Sequence, residues 1–455
     1  MVCRQSLGEF DVVVIDEFHE RRWDTDLLLA MLKTHSKHRL VLTSATMNSH
    51  ALAKYVSGDV MAASGRQFEV VISHVESEAR TLPNAKNLEQ RVSRAIRQEL
   101  DSGDGDILVF LPGRKEIAQC QSMLSGIEDL LVAPLHASVS DEERDVAIHR
   151  QPQRKVVLAT NVAETSLTID NITCVIDSGL ERRTVQRNGR TTLVLTHISK
   201  ASAKQRAGRA GRIRDGRCIR LYGKDAALES VTPPELQRES LIEPMVAAAQ
   251  SNFCIETLEL LEPLPEKSLA IAKDTLLKMS VIDEAGHVTD HGRSLSPLPL
   301  EAFYADLVSR METKALKEAM VDLTAGLSVY SSLYSLSSNP DRHEALNKEE
   351  PRCCDAAVVI RLVRGEQLSG VFVDESVLKE AQGISAQMRE CLQLPQLEVA
   401  SRYDHTELVK QVAKWSPQSV FVRRARRREV LANGQMEAVL GRQTRFAESA
   451  EAALF

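Results

Sequence analysis

The sequence predicts an α/β fold with a parallel sheet in its first half, followed by smaller helical and β domains. Short β-branched apolar runs alternate with amphipathic helical patterns over the first part of the chain. These runs are apolar throughout, which is typical of parallel strands that are covered on both faces. A length of 455 residues is too long for one core and indicates three or four domains.

The predicted strands and helices follow one another along the chain. The strands are expected at 12–16, 40–44, 107–111, 156–160, 174–177 and 219–222. In the segment between the second and third of these, Leu88, Val92, Ala95 and Leu100 fall near one face, as expected of an amphipathic helix. Turn residues near 64–74 break the pattern, so we expect a domain boundary there.

The pattern changes after Tyr222, where the predicted parallel strands stop. Two helical segments and a hairpin-like turn, DEAGHVT, predict a small winged-helix unit at 231–297. Helical patterns with loops continue over 298–415. In 416–455, β-branched alternation and an Asn433-Gly434 turn indicate antiparallel strands.

Composition narrows the possible functions and locations. A net charge of −6 argues against a protein that is basic throughout, so local charge must decide whether it binds nucleic acid. No run of about eighteen apolar residues occurs, so no membrane span is predicted. The 8 cysteines form no C-x-x-C pair or zinc spacing, and several lie in apolar runs. This favours buried free thiols and a cytoplasmic protein.

The first strand ends in the acidic motif Asp16-Glu17-Phe18-His19. The carboxyl ends of strands are where open α/β sheets bind ligands. Asp16 could hold Mg²⁺ through its waters, and Glu17 could polarise an attacking water. Taken alone, the motif is equally well explained as an acidic turn that caps the next helix.

Two hydroxyl-rich segments follow other predicted strands. Ser44 and Thr46 could bond both a carboxylate and a neighbouring loop. The segment ATNVAETSLTI at 159–169 offers hydroxyls and an amide, which suit phosphate and sugar contacts. Such residues also form ordinary turns and solvated loops, so each segment alone is a weak signal.

The arginine motif QRAGRAGR at 205–212 is the most specific signal. Arg206, Arg209 and Arg212 are three residues apart and are expected to share one face of a helix. The small residues between them allow close approach to another group. Arginine clusters of this kind stabilise charge in phosphoryl transfer. A basic surface helix that binds RNA generally is a competing interpretation.

Positive charge is concentrated between Arg182 and Arg220, which predicts a nucleic-acid track. Within this stretch, Asn188-Gly189 is a type I′ hairpin signal, and a basic hairpin could wedge into a nucleic-acid strand. A second basic cluster at 423–428 could bind phosphates, although a solvated charge run explains it at least as well.

In this order and spacing, several motifs together resemble those of DEAH-box ATP-dependent RNA helicases of superfamily 2, in particular the bacterial branch. The motifs are DEFHE, SAT, LVFLPG (108–113), ATNVAETSLTI, DSGLERR (177–183) and QRAGRAGR. Phe18 stands where the family usually has alanine. The resemblance covers the whole chain and is most specific up to Tyr222.

The resemblance implies tandem RecA-like domains with ATP between them and RNA across their top. Winged-helix, helical-bundle and oligonucleotide-binding (OB) domains would follow. The expected domains are 1–63 as a partial RecA-like domain 1, 64–230 as RecA-like domain 2, 231–297 as a winged helix, 298–415 as a helical ratchet-like domain and 416–455 as the start of an OB-like domain.

The resemblance also implies residues that serve ATP and Mg²⁺. Those for catalysis are Asp16, Glu17, His19, Gln205, Arg209 and Arg212, and those for nucleotide binding are Ser44, Thr46, Asp170 and Arg206. Asp16 and Glu17 would bind Mg²⁺ and position the water. Arg209 and Arg212 would act as arginine fingers, and Asp170 would touch the ribose.

The expected partner is single-stranded or partly duplex RNA. The residues expected to contact it are Arg66, Gly113, Arg114, Thr160, Asn161, Thr165, Ser166, Arg187 and Arg190. Arg66 lies in a turn that resembles the family's hook for the RNA backbone. Arg187 and Arg190 belong to the basic hairpin.

One family feature is missing from the sequence. The family holds ATP phosphates with the loop G-x-x-x-x-G-K-[ST], and the only Gly-Lys pair, Gly223-Lys224, is followed by Asp225. We therefore expect a chain that lacks about half of the first RecA-like domain and hydrolyses ATP weakly or not at all.

Three interpretations stay open. The chain is part of a helicase whose intact form is an ATP-driven 3′-to-5′ translocase, an inactive RNA-binding or regulatory remnant, or one half of a split helicase. In the last case an upstream chain supplies the phosphate-binding loop.

Overall fold

The computed structural model describes residues 10–35, 38–45, 49–63, 68–164, 167–187, 190–295, 298–329, 331–434, 436–441, 444–447 and 449–454. The chain divides into two compact units. The first comprises Met1–Pro244 and Thr257–Ile271, and the second comprises Met245–Glu256 and Ala272–Phe455.

The elements of the first unit are β1 (Val12–Ile15), α1 (Trp23–His35), β2 (Arg39–Leu42), α2 (Ser49–Val56), β3 (Val70–His74), α3 (Leu88–Ser102), β4 (Asp106–Phe110), α4 (Arg114–Leu124), β5 (Leu130–Leu135), α5 (Asp141–Ile148), β6 (Arg154–Ala159), β7 (Ile172–Asp177), β8 (Leu180–Arg187), β9 (Arg190–His197), α6 (Lys200–Gly208), β10 (Gly216–Arg220) and α7 (Glu235–Arg238). Short 3₁₀ turns lie at Phe18–Glu20 and Asn161–Ala163.

A small parallel sheet of β1 and β2 carries the acidic motif. Ile15 pairs with Leu42, so both strands end at the same edge. One face of this sheet packs on a core that includes Leu29, Leu32 and Leu52 of α1 and α2. The opposite face carries the valines Val12, Val14 and Val41, which are 45%, 60% and 46% exposed. Parallel sheets are usually covered on both faces, so this apolar face is unusual.

The large sheet has six parallel strands in the order β3-β10-β7-β4-β6-β5. Its central strands are buried on both faces, as their continuous apolar sequence predicts. Side chains on one face pack against α3 and α4, and those on the other face pack against α5 and α6. The predicted α/β fold class with a parallel sheet is therefore confirmed.

An antiparallel hairpin leaves the end of β7. In its register Leu180 lies opposite His197 and Arg187 lies opposite Arg190, so β8 and β9 pair along their whole length. The predicted Asn188-Gly189 turn lies outside the described residues.

The helices α8 (Ile242–Gln250) and α9 (Glu266–Lys278) contain residues of both units. The second unit continues with α10 (Asp290–Leu295), α11 (Ala302–Arg310), α12 (Lys314–Ser328), β11 (Tyr334–Leu336), α13 (Pro340–Glu349), α14 (Asp355–Val363), β12 (Val371–Val373), α15 (Glu375–Cys391), α16 (His405–Trp415), β13 (Val420–Arg423), β14 (Val430–Ala432), β15 (Glu437–Val439) and β16 (Ala452–Leu454). Further 3₁₀ turns lie at Ile255–Thr257, Leu397–Val399 and Pro417–Ser419.

The buried helix α12 forms the centre of the second unit. The carboxylate of Asp322, which is fully buried on this helix, accepts hydrogen bonds from Arg389, Arg364 and Ser385. Two elements expected from the sequence are present. A bridge between Ile282 and Val288 closes the short hairpin. The final strands form an antiparallel sheet in the order β15-β14-β13-β16.

The domain boundaries predicted from the sequence stay a prediction. The borders between the two units fall at 244–245, 256–257 and 271–272, inside the segment assigned to the winged helix. Within the part of the chain that the structure describes, no helix has the length and apolar character needed to cross a membrane.

Candidate nucleotide and nucleic-acid site

The acidic motif forms a tight turn directly after β1. Glu17 adopts a left-handed backbone conformation, with φ of 50°, and its N–H donates to Oδ1 of Asp16 across 2.9 Å. The Thr43 hydroxyl donates to the same oxygen. The hydrogen bond from Thr43 has the larger effect and that from Glu17 the smaller, and together they lower the pKa of Asp16 below its ordinary value. The exposed carboxylate is therefore ionised at neutral pH.

Phe18 anchors this turn, although the family usually has alanine at this position. Its side chain is fully buried with Ile15 in the core beneath the small sheet. Its N–H donates to the carbonyl of Thr43 across 2.9 Å. The larger side chain therefore fills the core and leaves the acids at the surface.

His19 connects the acids to the segment after β2. Its Nδ1 accepts a hydrogen bond from the N–H of Ala45 at 3.3 Å and lies 3.3 Å from Oε2 of Glu17. Its Nε2 is buried and has no partner among the described residues. Ser44 is exposed at this point. The hydroxyl that contacts Asp16 belongs to Thr43, which directly precedes Ser44 but was not among the residues predicted from the motif.

The arginine motif does not lie on one helical face, so that prediction is wrong. Helix α6 ends at Gly208, and Arg209 is its C-cap. Gln205 is half-buried on the helix, whereas Arg212 lies beyond it and is exposed. The two glycines of the motif interrupt the helical pattern because glycine is a poor helix former.

Arg206 points into the core of the first unit and is closed off from solvent. It is fully buried over the ring of Phe110, and its guanidinium pairs with Glu164 at 2.6 Å and Asp177 at 2.9 Å. The direct nucleotide contact expected for Arg206 therefore does not fit this geometry. Its place in the structure is that of an anchor which joins α6 to the ends of β6 and β7.

Among the described residues, Arg209 and Arg212 make hydrogen bonds only to neutral groups. Arg209 donates to the carbonyls of Leu167, at 2.6 Å, and Glu164. Arg212 donates to the Thr168 hydroxyl at 2.6 Å. Neither guanidinium forms an ion pair with a carboxylate in the described residues.

The charges of these two arginines are poorly compensated. Burial and then the charge of Arg212 lower the pKa of Arg209 to about 10, and burial also lowers the pKa of Arg212. Glu17 is close enough for its charge to act on both groups in the opposite direction. An anion at this position would relieve the repulsion between them.

The acids and arginines fit the chemistry of Mg²⁺ and a polyphosphate. No cluster of three or more His, Cys, Asp or Glu suited to a metal occurs in the described ranges. Mg²⁺ needs only one or two carboxylates when phosphates and waters supply the other ligands. Asp16 and Glu17 can supply these carboxylates, and Arg209 and Arg212 can face the phosphates.

Asp170 lies after the loop that Arg209 and Arg212 contact. Its carboxylate accepts from the N–H of Arg150 at 3.3 Å and lies 3.8 Å from His149, with 48% of the side chain exposed. Its other oxygen, Oδ1, accepts no hydrogen bond from the described residues and can accept one from another donor, such as a ribose hydroxyl.

Four of the residues expected to bind RNA, Gly113, Arg114, Thr160 and Asn161, lie at the carboxyl edge of the large sheet. Arg114 is exposed at the start of α4, after β4. Thr160 and Asn161 follow β6, which lies next to β4, and the N–H of Thr160 donates to the carbonyl of Leu135 at the end of β5. These strand ends lie where open α/β sheets bind ligands.

Gly113 joins this edge to the base of the hairpin. A Cβ added at Gly113 would lie 1.8 Å from Nη1 of Arg182. This close approach lets Arg182 make two hydrogen bonds to Glu116, at 2.7 and 3.0 Å. The glycine therefore serves the packing of β8 against α4.

Several predicted residues lie outside the described part of the chain. They are Thr46, Arg66, Thr165 and Ser166, and the side chains of Arg187 and Arg190 are likewise outside it. The second basic cluster is partly neutralised by its surroundings. Arg424 and Arg427 pair with Glu437, and Arg428 pairs with Glu451. Surface pairs of this type contribute little stability and are easily exchanged.

Comparisons with known proteins agree with the motifs. Residues 91–214 match the family described as the helicase conserved C-terminal domain. The pre-mRNA-splicing factor ATP-dependent RNA helicase prp22 of Schizosaccharomyces pombe (strain 972 / ATCC 24843) is 32% identical over 345 residues, which are 71% of this chain and 29% of that protein.

Two solved structures of HrpB from Escherichia coli resemble 99% of the chain. One, described as a DExH-box NTPase, has 24% identity and a TM-score of 0.76, and the chain covers 53% of it. The other, described as a DEAH/RHA helicase, has 25% identity and a TM-score of 0.77, and the chain covers 54% of it.

The chain thus spans about half the length of the HrpB structures and less than a third of prp22. The likeness at 24% identity shows the fold, and the relationship to prp22 and the order of the motifs show the family. The chain belongs to the DEAH-box helicases of superfamily 2.

Proposed function

We propose that the chain is part of an ATP-dependent RNA helicase that couples ATP hydrolysis to 3′-to-5′ movement along RNA and to unwinding. We propose that the chain is divided into the five domains predicted from the sequence. Its site of action is the cytoplasm, as its cysteine use suggests.

The main support for this proposal is the pair Arg209 and Arg212, whose charges are poorly compensated. These two guanidiniums donate to neutral acceptors and repel each other, which favours a bound polyphosphate. Asp16 and Glu17 would hold Mg²⁺, which would neutralise charge on the phosphates when bound. Glu17 would also orient the attacking water, and Gln205 would assist at the terminal phosphate.

RNA binding is supported by the polar strand ends of the large sheet. Arg114, Thr160 and Asn161 present an exposed cation and short polar side chains at one edge, and Gly113 lies directly before Arg114. Groups of this kind contact sugars and phosphates without reading the base sequence. A helicase needs such contacts because it must move along RNA of any sequence.

A split helicase is a second candidate, and one observation favours it. The valines Val12, Val14 and Val41 are exposed, so the described residues leave one face of the β1-β2 sheet uncovered. A polypeptide that carries the G-x-x-x-x-G-K-[ST] loop and further parallel strands would cover this face and complete the phosphate site. Translation of the DNA upstream of the coding sequence, in all frames, would reveal such a loop if it is encoded nearby.

The inactive remnant is the third candidate. It would keep the RNA contacts but would bind no polyphosphate at the arginines. Sodium tripolyphosphate therefore separates it from the two helicase interpretations, because this ligand needs no adenine or ribose contact.

Thermal unfolding with tripolyphosphate tests the anion site. We expect the ligand to raise the melting temperature of the wild type, because a ligand that binds only the folded state stabilises it. The Arg209→Ala and Arg212→Ala variants should lose most of this effect. Arg214→Ala is the matched control, since Arg214 is exposed and pairs with Asp104 at the surface. An equal rise in all four proteins would contradict the proposal.

RNA binding is tested by fluorescence anisotropy. A labelled single-stranded RNA should bind with a Kd that rises steeply with salt, and the matching DNA should bind more weakly if ribose hydroxyls are contacted. Equal affinity for RNA and DNA would remove the preference for RNA, and no binding of either would refute the nucleic-acid function.

A further inference from the structure

The predicted RNA contacts at the ends of β4 and β6 have a further residue beside them at the end of β5. In the large sheet β4 lies next to β6, and β6 lies next to β5. Arg114 follows β4 and Thr160 follows β6, so the residue after β5 continues the same row. That residue is His136.

The turn after β5 holds the His136 ring in one orientation. The ring is half-buried, and its Nδ1 accepts a hydrogen bond from the N–H of Ser138 at 3.2 Å. The N–H of Val139 donates to the carbonyl of His136 at 3.3 Å and closes the turn. Ser140 and Glu143 then form a capping box at the start of α5, which fixes the end of the turn.

This geometry determines which ring nitrogen carries the proton. A neutral histidine whose Nδ1 accepts a hydrogen bond must carry its proton on Nε2. Burial, and then the charge of Arg114, lower the pKa of His136, while Glu143 opposes them. At neutral pH the ring is therefore an uncharged donor. Its Nε2 forms no hydrogen bond within the described residues.

We propose that His136 is an additional RNA-contact residue, which donates its Nε2–H to a sugar or phosphate oxygen of the strand that crosses the ends of β4, β6 and β5. This inference rests on the proposed RNA binding and adds a specific donor to it. The half-buried ring is held in place before binding, so little side-chain entropy is lost when the contact forms.

Two substitutions separate the donor from the ring. His136→Ala removes the donor and should raise the Kd for a labelled oligouridylate about 3- to 10-fold, as expected for one hydrogen bond. His136→Gln can place an amide N–H near the position of Nε2 and should restore most of the affinity. His287→Ala is the matched control, because this histidine is exposed in the 282–288 hairpin.

The salt dependence of the Kd for RNA shows whether His136 contacts RNA directly or whether its substitution displaces a neighbouring charged residue. A neutral donor releases no counterions, so His136→Ala should shift the plot of log Kd against log salt without changing its slope. Arg114→Ala should reduce the slope by about 1 if its guanidinium meets a phosphate. Each variant should melt at the temperature of the wild type, because the ring is only half-buried.

The outcomes separate this inference from the proposed function. If the wild type binds no RNA, both fail. If the wild type binds and His136→Ala binds equally well, only the role of His136 is refuted. A slope change in His136→Ala, or a Gln variant as weak as the Ala variant, would also overturn the inference, since either result would point to a disturbed turn.

Discussion

Arg206 donates from Nη1 to Oδ1 of Asp177 across 2.9 Å, and neither side chain is exposed to solvent. Asp177 also accepts from the N–H of Gly179 and from the hydroxyl of Tyr222. The second carboxylate partner of Arg206, Glu164, is 8% exposed. Three segments of the first unit therefore meet at one guanidinium, which orders the loops beside Arg209 and Arg212.

Removal of the guanidinium should strongly destabilise the first unit. We expect Arg206→Ala to lower the free energy of unfolding by about 3–5 kcal/mol, because it leaves two buried carboxylates without their partner. Urea unfolding measures this effect. The control Arg214→Ala should cost less than about 1 kcal/mol, since Arg214 and Asp104 are 44% and 85% exposed. Similar losses in both variants would show that the buried network is not essential.

Gly113→Ala should loosen the base of the hairpin. The added Cβ would displace Arg182 from Glu116, so we expect a loss of about 1–2 kcal/mol in the free energy of unfolding. Gly126→Ala is the control, because no atom lies within 4 Å of its added Cβ.

A double-mutant cycle identifies the cause of the Gly113 effect. If Gly113→Ala acts by breaking the Arg182–Glu116 pair, Glu116→Gln should add little to it. Fully additive losses would mean that the glycine is required for another reason.

The chain by itself should release little phosphate from ATP, with or without RNA. Arg209, Arg212 and the acids supply charge, but the sequence contains no G-x-x-x-x-G-K-[ST] loop to cradle the phosphates. A malachite-green assay measures the release, and Glu17→Gln provides the background. Turnover well above that background would refute this prediction.

Alkaline pH should destabilise the fold through its buried thiols. Burial raises the pKa of Cys120 and of Cys218 from 9.0 to about 12. The unfolded thiols lose their protons first, so the stability from protonated thiols is complete below pH 9 and falls as the pH rises towards 12. Each thiol should lower the free energy of unfolding by about 1 kcal/mol between pH 9 and pH 10.

Cysteine variants test this origin of the pH dependence. Cys120→Ala and Cys218→Ala should each flatten the decline of the unfolding free energy above pH 9. Cys391→Ala should leave it unchanged, because Cys391 is exposed on α15. If the unfolding free energy falls equally steeply above pH 9 in all variants, the decline must come from other groups.

Much of the fold was predictable because parallel strands that are buried on both faces have a distinctive apolar sequence. The strand that ends at Asp177, for example, is apolar along nearly its whole length. Two strands of the large sheet were missed. Pro134 makes β5 resemble a loop, but it is tolerated because β5 is an edge strand. The other, β3, lies in the segment whose turn residues suggested only a domain boundary.

The sequence motifs predicted which residues belong to the candidate site better than they predicted which atoms those residues contact. The order of the motifs indicated Arg209 and Arg212, yet periodicity alone grouped Arg206 with them. Its true partners, Glu164 and Asp177, are 42 and 29 residues away in sequence. Pairings over such distances depend on the tertiary fold, as does the bond from Thr43 to Asp16. Local sequence patterns cannot reveal them.

Arg209 and Arg212 donate hydrogen bonds to the carbonyls of Glu164 and Leu167 and to the hydroxyl of Thr168. An anion that draws the guanidiniums away leaves these acceptors without their donors. Anion affinity and the positions of these three acceptors are therefore thermodynamically linked. Any RNA that selects one arrangement of the acceptors must change anion affinity by the same factor by which the anion changes affinity for that RNA.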